Sequence, residues 1–166
     1  MRPEARNRLQ LAVIAVLLLV IVAMAWKFIV AGTVQQGEDG RQALLLEPAE
    51  RAFILQEMRD FVAGLQQMTE ALAREDMAGV AAAARGMGSA MSHQAPVALV
   101  AKLPLGFKTL GFGVHRDFDA LAADAEDLGD PGHALEQLSQ ALRKCVACHE
   151  IYQISAPSGR QSGREG

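Results

Sequence analysis

Aromatic side chains are scarce in this chain of 166 residues: six Phe, one Tyr and one Trp, 5% in all. The overall hydrophobic share is nevertheless 51%, and much of it is Ala. That mixture lacks the aromatic and β-branched residues of a β-sandwich and favours helices. Cysteine is scarcer still, with only Cys145 and Cys148. A structural zinc site needs four protein ligands, and no second cysteine pair exists to complete one. A strand pattern is also missing, so a thioredoxin-like dithiol has no strand-to-helix junction to occupy. Excess positive charge is absent too. Four of the 16 Lys and Arg, but one of the 19 Asp and Glu, fall in the first 32 residues, leaving the remainder at −6. An acidic domain argues against nucleic acid and is compatible with a basic redox partner.

The N-terminus, by contrast, has a long apolar run. LQLAVIAVLLLVIVAMAW (Leu9 to Trp26) contains one polar residue, Gln10, and continues through Lys27 to Gly32. As a helix, Leu9 to Gly32 spans roughly 36 Å, enough to cross a bilayer. Arg2, Arg6 and Arg8 precede it, so the positive-inside rule places the N-terminus in the cytoplasm and the rest of the chain outside. Trp26 and Lys27 suit the far interface of an uncleaved anchor. Ala23-Met24-Ala25 also fits a small-x-small cleavage site, and cleavage would leave a soluble periplasmic domain.

Residues 1–32 are therefore read as a membrane anchor and 33–46 as a polar linker. Residues 47–154 form the main domain, and 155–166 (SAPSGRQSGREG) a disordered tail. A first helix over about 48–74 carries Leu55, Met58, Val62, Leu65 and Leu72 at helical steps, flanked by Ile54, Phe61 and Met68. Asp76 caps a second helix whose stripe is Met77, Val80, Ala84, Met87 and Met91. Pro96 and Pro104 bracket a loop. A third helix follows on Phe107, Leu110, Val114, Phe118, Leu121 and Ala125. Gly129-Asp130-Pro131 breaks the chain before a fourth helix, about 132–154, with Leu135, Leu138, Leu142, Cys145, His149 and Tyr152 on one face. The expected fold is all-α: an antiparallel four-helix bundle preceded by one N-terminal transmembrane helix.

Residues 145–152 read CVACHEIY. Two thiols three residues apart can add to the two vinyl groups on one edge of a porphyrin, and the histidine directly after them can ligate the iron. An exported domain sits in the compartment where bacteria attach haem in this way. A disulfide across one helical turn would constrain almost nothing. Covalent haem c, held by Cys145 and Cys148 with His149 on the iron, is the expected cofactor.

Phe118 through Tyr152, FDALAADAEDLGDPGHALEQLSQALRKCVACHEIY, resembles the third-to-fourth helix region of the cytochrome c′ family, the class II c-type cytochromes. In that family a four-helix bundle carries its Cys-x-x-Cys-His near the C-terminus. The specific similarity covers about a fifth of the chain. It implies Cys145 and Cys148 as thioether anchors and His149 as proximal ligand. Many members have a basic residue after the motif's tyrosine, where this chain has Gln153, and many are soluble. Dimerisation also occurs in the family, although this sequence carries no interface signal of its own.

In an up-down-up-down bundle the end of the last helix faces the start of the first, where Met58 lies; the resemblance implies that this region supplies the residue over the distal haem face. A thioether ligand there makes a six-coordinate iron suited to electron transfer. An apolar cover from Leu55 or Phe61 leaves the iron open to small gases. Ordinary core packing is the alternative role for Met58, and Met68, Met77, Met87 and Met91 are read as core. His115 is read as solvated, His93 as a helix C-cap and His133 as surface. Arg143 and Lys144 could offset propionate charge or simply be solvated. No acid, base or nucleophile constellation accompanies the motif, so the chain is not read as an enzyme. The expected function is single-electron transfer by a cytochrome tethered to the bacterial inner membrane and facing the periplasm, with redox proteins as partners. The alternatives are a five-coordinate haem protein binding NO or CO, and a haemless anchored interaction module.

Overall fold

The computed structural model describes residues 3–156. Helix α1 (Pro3–Ala25) continues through a π-helical turn, Trp26–Ala31. Among the described residues, the stretch Asn7–Ala31 is long and apolar enough to cross a membrane: 25 residues, mean hydropathy 2.8, none of it covered by the rest of the chain.

The chain then does not run on as a free linker. β1 (Val34–Gln36) and β2 (Gln42–Leu45) form an antiparallel hairpin, and β2 pairs in parallel with β3 (Tyr152–Ser155), Gln42 opposite Tyr152. The linker expected over 33–46 is thus folded, because Ala43, Leu44 and Leu46 bury their side chains while strand partners satisfy their backbone groups. The fourth helix also ends earlier than expected. Tyr152 leaves it in an extended conformation, and Ile154 and Ser155 belong to the sheet rather than to a helix end and a tail. The rest of the expected tail, 157–166, lies outside the described residues.

Six helices make up most of the domain: α2 (Pro48–Ala73), α3 (Met77–Gly86), α4 (Ser89–Ser92), α5 (Val97–Lys102), α6 (Leu105–Asp127) and α7 (Pro131–Ile151). Their starts are local chemistry. Glu50 Oε2 accepts from the Glu47 amide at 2.9 Å, Asp76 Oδ1 from Gly79 N at 2.9 Å, and Asp130 Oδ1 from Gly132 N at 2.8 Å. The expected second helix breaks at Gly86-Met87-Gly88, and the turn that follows is held by Asp119, whose carboxylate accepts from Ser89 N at 3.0 Å.

The helices pack in series, α2 on α3, α3 on α6, and α6 on α7. Each step reverses direction. Tight turns join α2 to α3 and α6 to α7, and Arg85 pairs with Glu126 while Ser89 pairs with Asp119. α2 and α7 are therefore antiparallel, but their backbones do not come into comparable contact.

Two apolar clusters result. One, between α2, α3, α6 and α7, is rich in alanine and centred on Met68, Val80, Met87, Phe118 and Leu121. Small residues let the helix axes approach closely. The other lies under the hairpin and joins Leu44, Leu46, Ile54, Leu99 and Leu103 to Met58, Phe107 and Tyr152.

Candidate functional site

Cys145 and Cys148 lie one turn apart near the C-terminal end of α7, and both are half-buried. Cys145 packs against the alanine-rich cluster. Burial pushes the Cys148 thiol up to about 11, with the neighbouring Cys145 adding to the rise. Burial also raises Cys145, and Asp117 raises it further. Burial thus disfavours the thiolate form of both groups.

His149 is exposed, one residue further round the helix. The buried face of α7 is Ala134, Leu138 and Ala141, continued by the cysteines. Leu135 and Leu142, expected on that face, are 58% and 38% exposed. The helical period fits either set of residues, and close packing on α6 selects the set with the alanines.

At about 100° per residue, the two edges of this buried face differ. One edge is polar and meets α6: Lys144 Nζ donates to Asp117 at 2.5 Å, and Gln137 Nε2 to Asp124 at 2.6 Å. The other edge carries Leu135, Leu142, Val146 and His149. On α2, Gly64 and Ala71 abut Met87 and Gly79 on the α3 side. Leu55, Met58 and Val62 fall on the opposite edge, and Val62 is 67% exposed. Leu55, Met58 and Val62 of α2, like Leu135, Leu142 and Val146 of α7, therefore lie off the faces sealed against α3 and α6, and the two helices themselves make few backbone contacts.

Met58 and Tyr152, which follows α7, both pack on the cluster under the hairpin. Met58 is half-buried there among Ile54 and Leu99 rather than standing free. No three His, Cys, Asp or Glu side chains among the described residues converge where they could chelate a metal ion. The cysteines and His149 instead present three separate groups along one turn.

A cation does reach the histidine, although not from position 153. Arg41, in the turn between β1 and β2, donates from Nη1 to the His149 carbonyl at 3.2 Å and to that of Tyr152 at 3.5 Å. Asp39 holds this guanidinium at 2.6 Å and accepts from Gln153 Nε2 at 3.2 Å. Sequence reasoning missed Arg41, because 108 residues separate it from His149.

The remaining histidines divide. His93 ends α4 and is exposed, as expected. His133 is half-buried and contacts Asp124 at 3.1 Å. His115 is not solvated: it is 4% exposed, its Nδ1 is 2.7 Å from the Met87 carbonyl, and Glu57 lies 3.6 Å from Nε2. Burial alone would lower its pKa, but the Glu57 carboxylate and the Met87 carbonyl outweigh burial and raise it. Met68 and Met87 are buried, and Met77 packs on the same cluster.

No protein-family model, curated protein or solved structure matches this chain. The functional reading therefore stands on the chemistry of the site. Two free cysteines one turn apart, followed by an exposed imidazole, are the groups that covalent attachment and ligation of a haem require.

Proposed function

We propose that this chain is a membrane-tethered c-type cytochrome of the bacterial inner membrane, its helical domain a four-helix bundle facing the periplasm. What supports this reading is the CVACH turn near the end of α7, two half-buried free cysteines beside an exposed imidazole, with apolar side chains of α7 left open next to it. Cys145 and Cys148 would hold the haem through thioethers, each thiol adding its S–H across a vinyl group so that no oxidant is consumed. His149 would ligate the iron, and the haem would supply a one-electron ferric/ferrous couple. Leu142, Val146 and Val62 would cover its apolar faces, and Met58 would offer a thioether. Redox proteins are the partners, and no bond-making chemistry is assigned to the domain.

One observation favours a second reading, a five-coordinate haem protein that binds NO or CO. Met58 is packed within the hairpin cluster, and if it stays there the distal face is covered by hydrocarbon alone.

Absorption spectra of the exported protein decide between them. The expected result is a haem signal that survives denaturation and extraction, with low-spin spectra unresponsive to carbon monoxide. Met58→Ala should convert them to high-spin, CO-binding spectra. Immediate CO binding by the unaltered protein selects the second reading. Absence of covalent haem removes both and leaves an anchored interaction module.

A further inference from the structure

We propose that the end of the domain bearing Cys145 to His149 rests on the lipid leaflet that the anchor crosses, with Val97 and Leu105 as its lipid contacts. The inference rests on the membrane-tethered part of the function proposed above, not on the haem.

The junction leaves no slack. Gly32 has φ +66, and a Cβ on it would lie 2.5 Å from Pro104 N, so the chain leaves the anchor pressed against the elbow between α5 and α6. Thr33 N donates to the Lys102 carbonyl at 2.6 Å. Lys108 Nζ donates to the carbonyls of Phe28 and Ile29, each at 3.1 Å, and Lys27 Nζ to that of Gly32 at 2.8 Å. These are the carbonyls a helix leaves unpaired at its C-terminal end.

Depth follows from length. The 25 residues Asn7–Ala31 extend about 37 Å, against a hydrocarbon core of about 30 Å. Phe28 to Ala31 therefore lie at the headgroup boundary. Lys108, bonded to Phe28 and Ile29, lies at the same level, where an ammonium group meets phosphates and water rather than acyl chains.

The elbow fixed at that level carries Leu105, which opens α6 and is 45% exposed; Val97, 85% exposed, opens the six-residue helix α5 that leads into the elbow, about 9 Å of helix away. Their continuity with the spanning helix identifies lipid as the occupant. The two lysines at the junction complement anionic headgroups.

The motif is at this end too. Phe107, next to Lys108, stacks edge-on against Tyr152 with ring centroids 5.4 Å apart, three residues after His149. The hairpin that leads out of the membrane is the one whose Arg41 binds the His149 carbonyl.

Full-length protein with Trp26→Phe, reconstituted in phosphatidylcholine and phosphatidylglycerol vesicles, tests this. Single tryptophans are introduced as Leu105→Trp, Val97→Trp, Val20→Trp or Leu128→Trp. Emission is compared between ordinary lipid and lipid brominated on the acyl carbons nearest the glycerol. Leu105→Trp and Val97→Trp should be quenched as strongly as native Trp26, and Leu128→Trp, at the far end of α6, should not be. Val20→Trp, about 12 Å deeper than Phe28, is read instead with lipid brominated near the middle of its acyl chains. If Val20→Trp is quenched there and neither elbow probe is quenched by the shallow bromines, the anchor is inserted and the docking proposal is wrong. If Val20→Trp escapes mid-chain quenching, the tethered reading fails and the proposal falls with it.

Discussion

Ala134, Leu138 and Ala141 of α7 are sealed against α6, whereas Leu135, Leu142 and Val146, one residue further round the same helix, remain in solvent. α2 repeats the contrast, with Met68 and Ala71 buried and Val62 exposed. On the sealed side, small residues face small residues: Ala122 and Ala125 of α6 meet the alanines of α7, and the axes can approach until nothing remains between them. On the open side both helices carry large branched side chains with no partner. Apolar edges of that size, left open on α2 and α7, fit a covered state better than a solvated one. The sealed faces are what hold the domain together, and the open edges are what it presents.

Truncation should break this contrast most visibly. Leu121 is wholly buried, so Leu121→Ala should cost about 3 kcal/mol by urea unfolding, with or without haem. Val146→Ala should cost no more than about 0.5 kcal/mol in a Cys145→Ser/Cys148→Ser chain that cannot bind haem covalently. In the haem-loaded chain the same truncation should approach about 1 kcal/mol, because the methyl groups are then covered. Equal costs in both backgrounds would mean that the open edge of α7 is not where the haem lies.

The sealed side owes much of its recognisability in the sequence to local signals. Asp76 and Asp130 cap helices from within one turn, and Pro131 falls where a first turn tolerates it. The CVACH spacing is local as well, and so is the apolar run of the anchor. What sequence leaves open is rotation and pairing. Leu135-Leu138-Leu142 and Ala134-Leu138-Ala141 satisfy one period equally, and only the approach of α6 selects between them. The parallel pairing of β2 with β3 joins segments more than a hundred residues apart, and a short QALL segment has no signal strong enough to announce it. His115 reads as a solvated residue until the Met87 carbonyl and Glu57, from two other helices, are brought to it.

His115 provides a sharper test, because it clamps the sealed side across α2, α6 and the end of α3. Its folded pKa is raised above its ordinary value. The stability it contributes is therefore fully present below that ordinary value, and it is lost as pH rises through the raised one. Thermal unfolding followed through this range should show stability falling as the ring deprotonates. His115→Gln should flatten that slope and cost roughly 2 kcal/mol on the acidic side. Val146→Ala, on the open side, should leave the slope unchanged. A slope that persists in His115→Gln would place the titrating group elsewhere.

The smallest expected effect is at the end of α7. Arg41 is partly exposed and already held by Asp39, so its contribution is that of a cation capping the last carbonyls of α7. Arg41→Gln should lower stability by only about 0.3–1 kcal/mol. Its influence on His149 should be easier to detect than its influence on folding. A positive charge against the carbonyl of the proposed iron ligand would disfavour the more positive, ferric state, so removing it should lower the midpoint potential of haem-loaded protein. Arg41→Lys keeps the charge but loses the planar fork, and should recover most of the potential while recovering less of the stability. A potential unmoved by Arg41→Gln, in protein that still binds haem covalently, would show that the hairpin fastens the end of α7 without tuning the group on it.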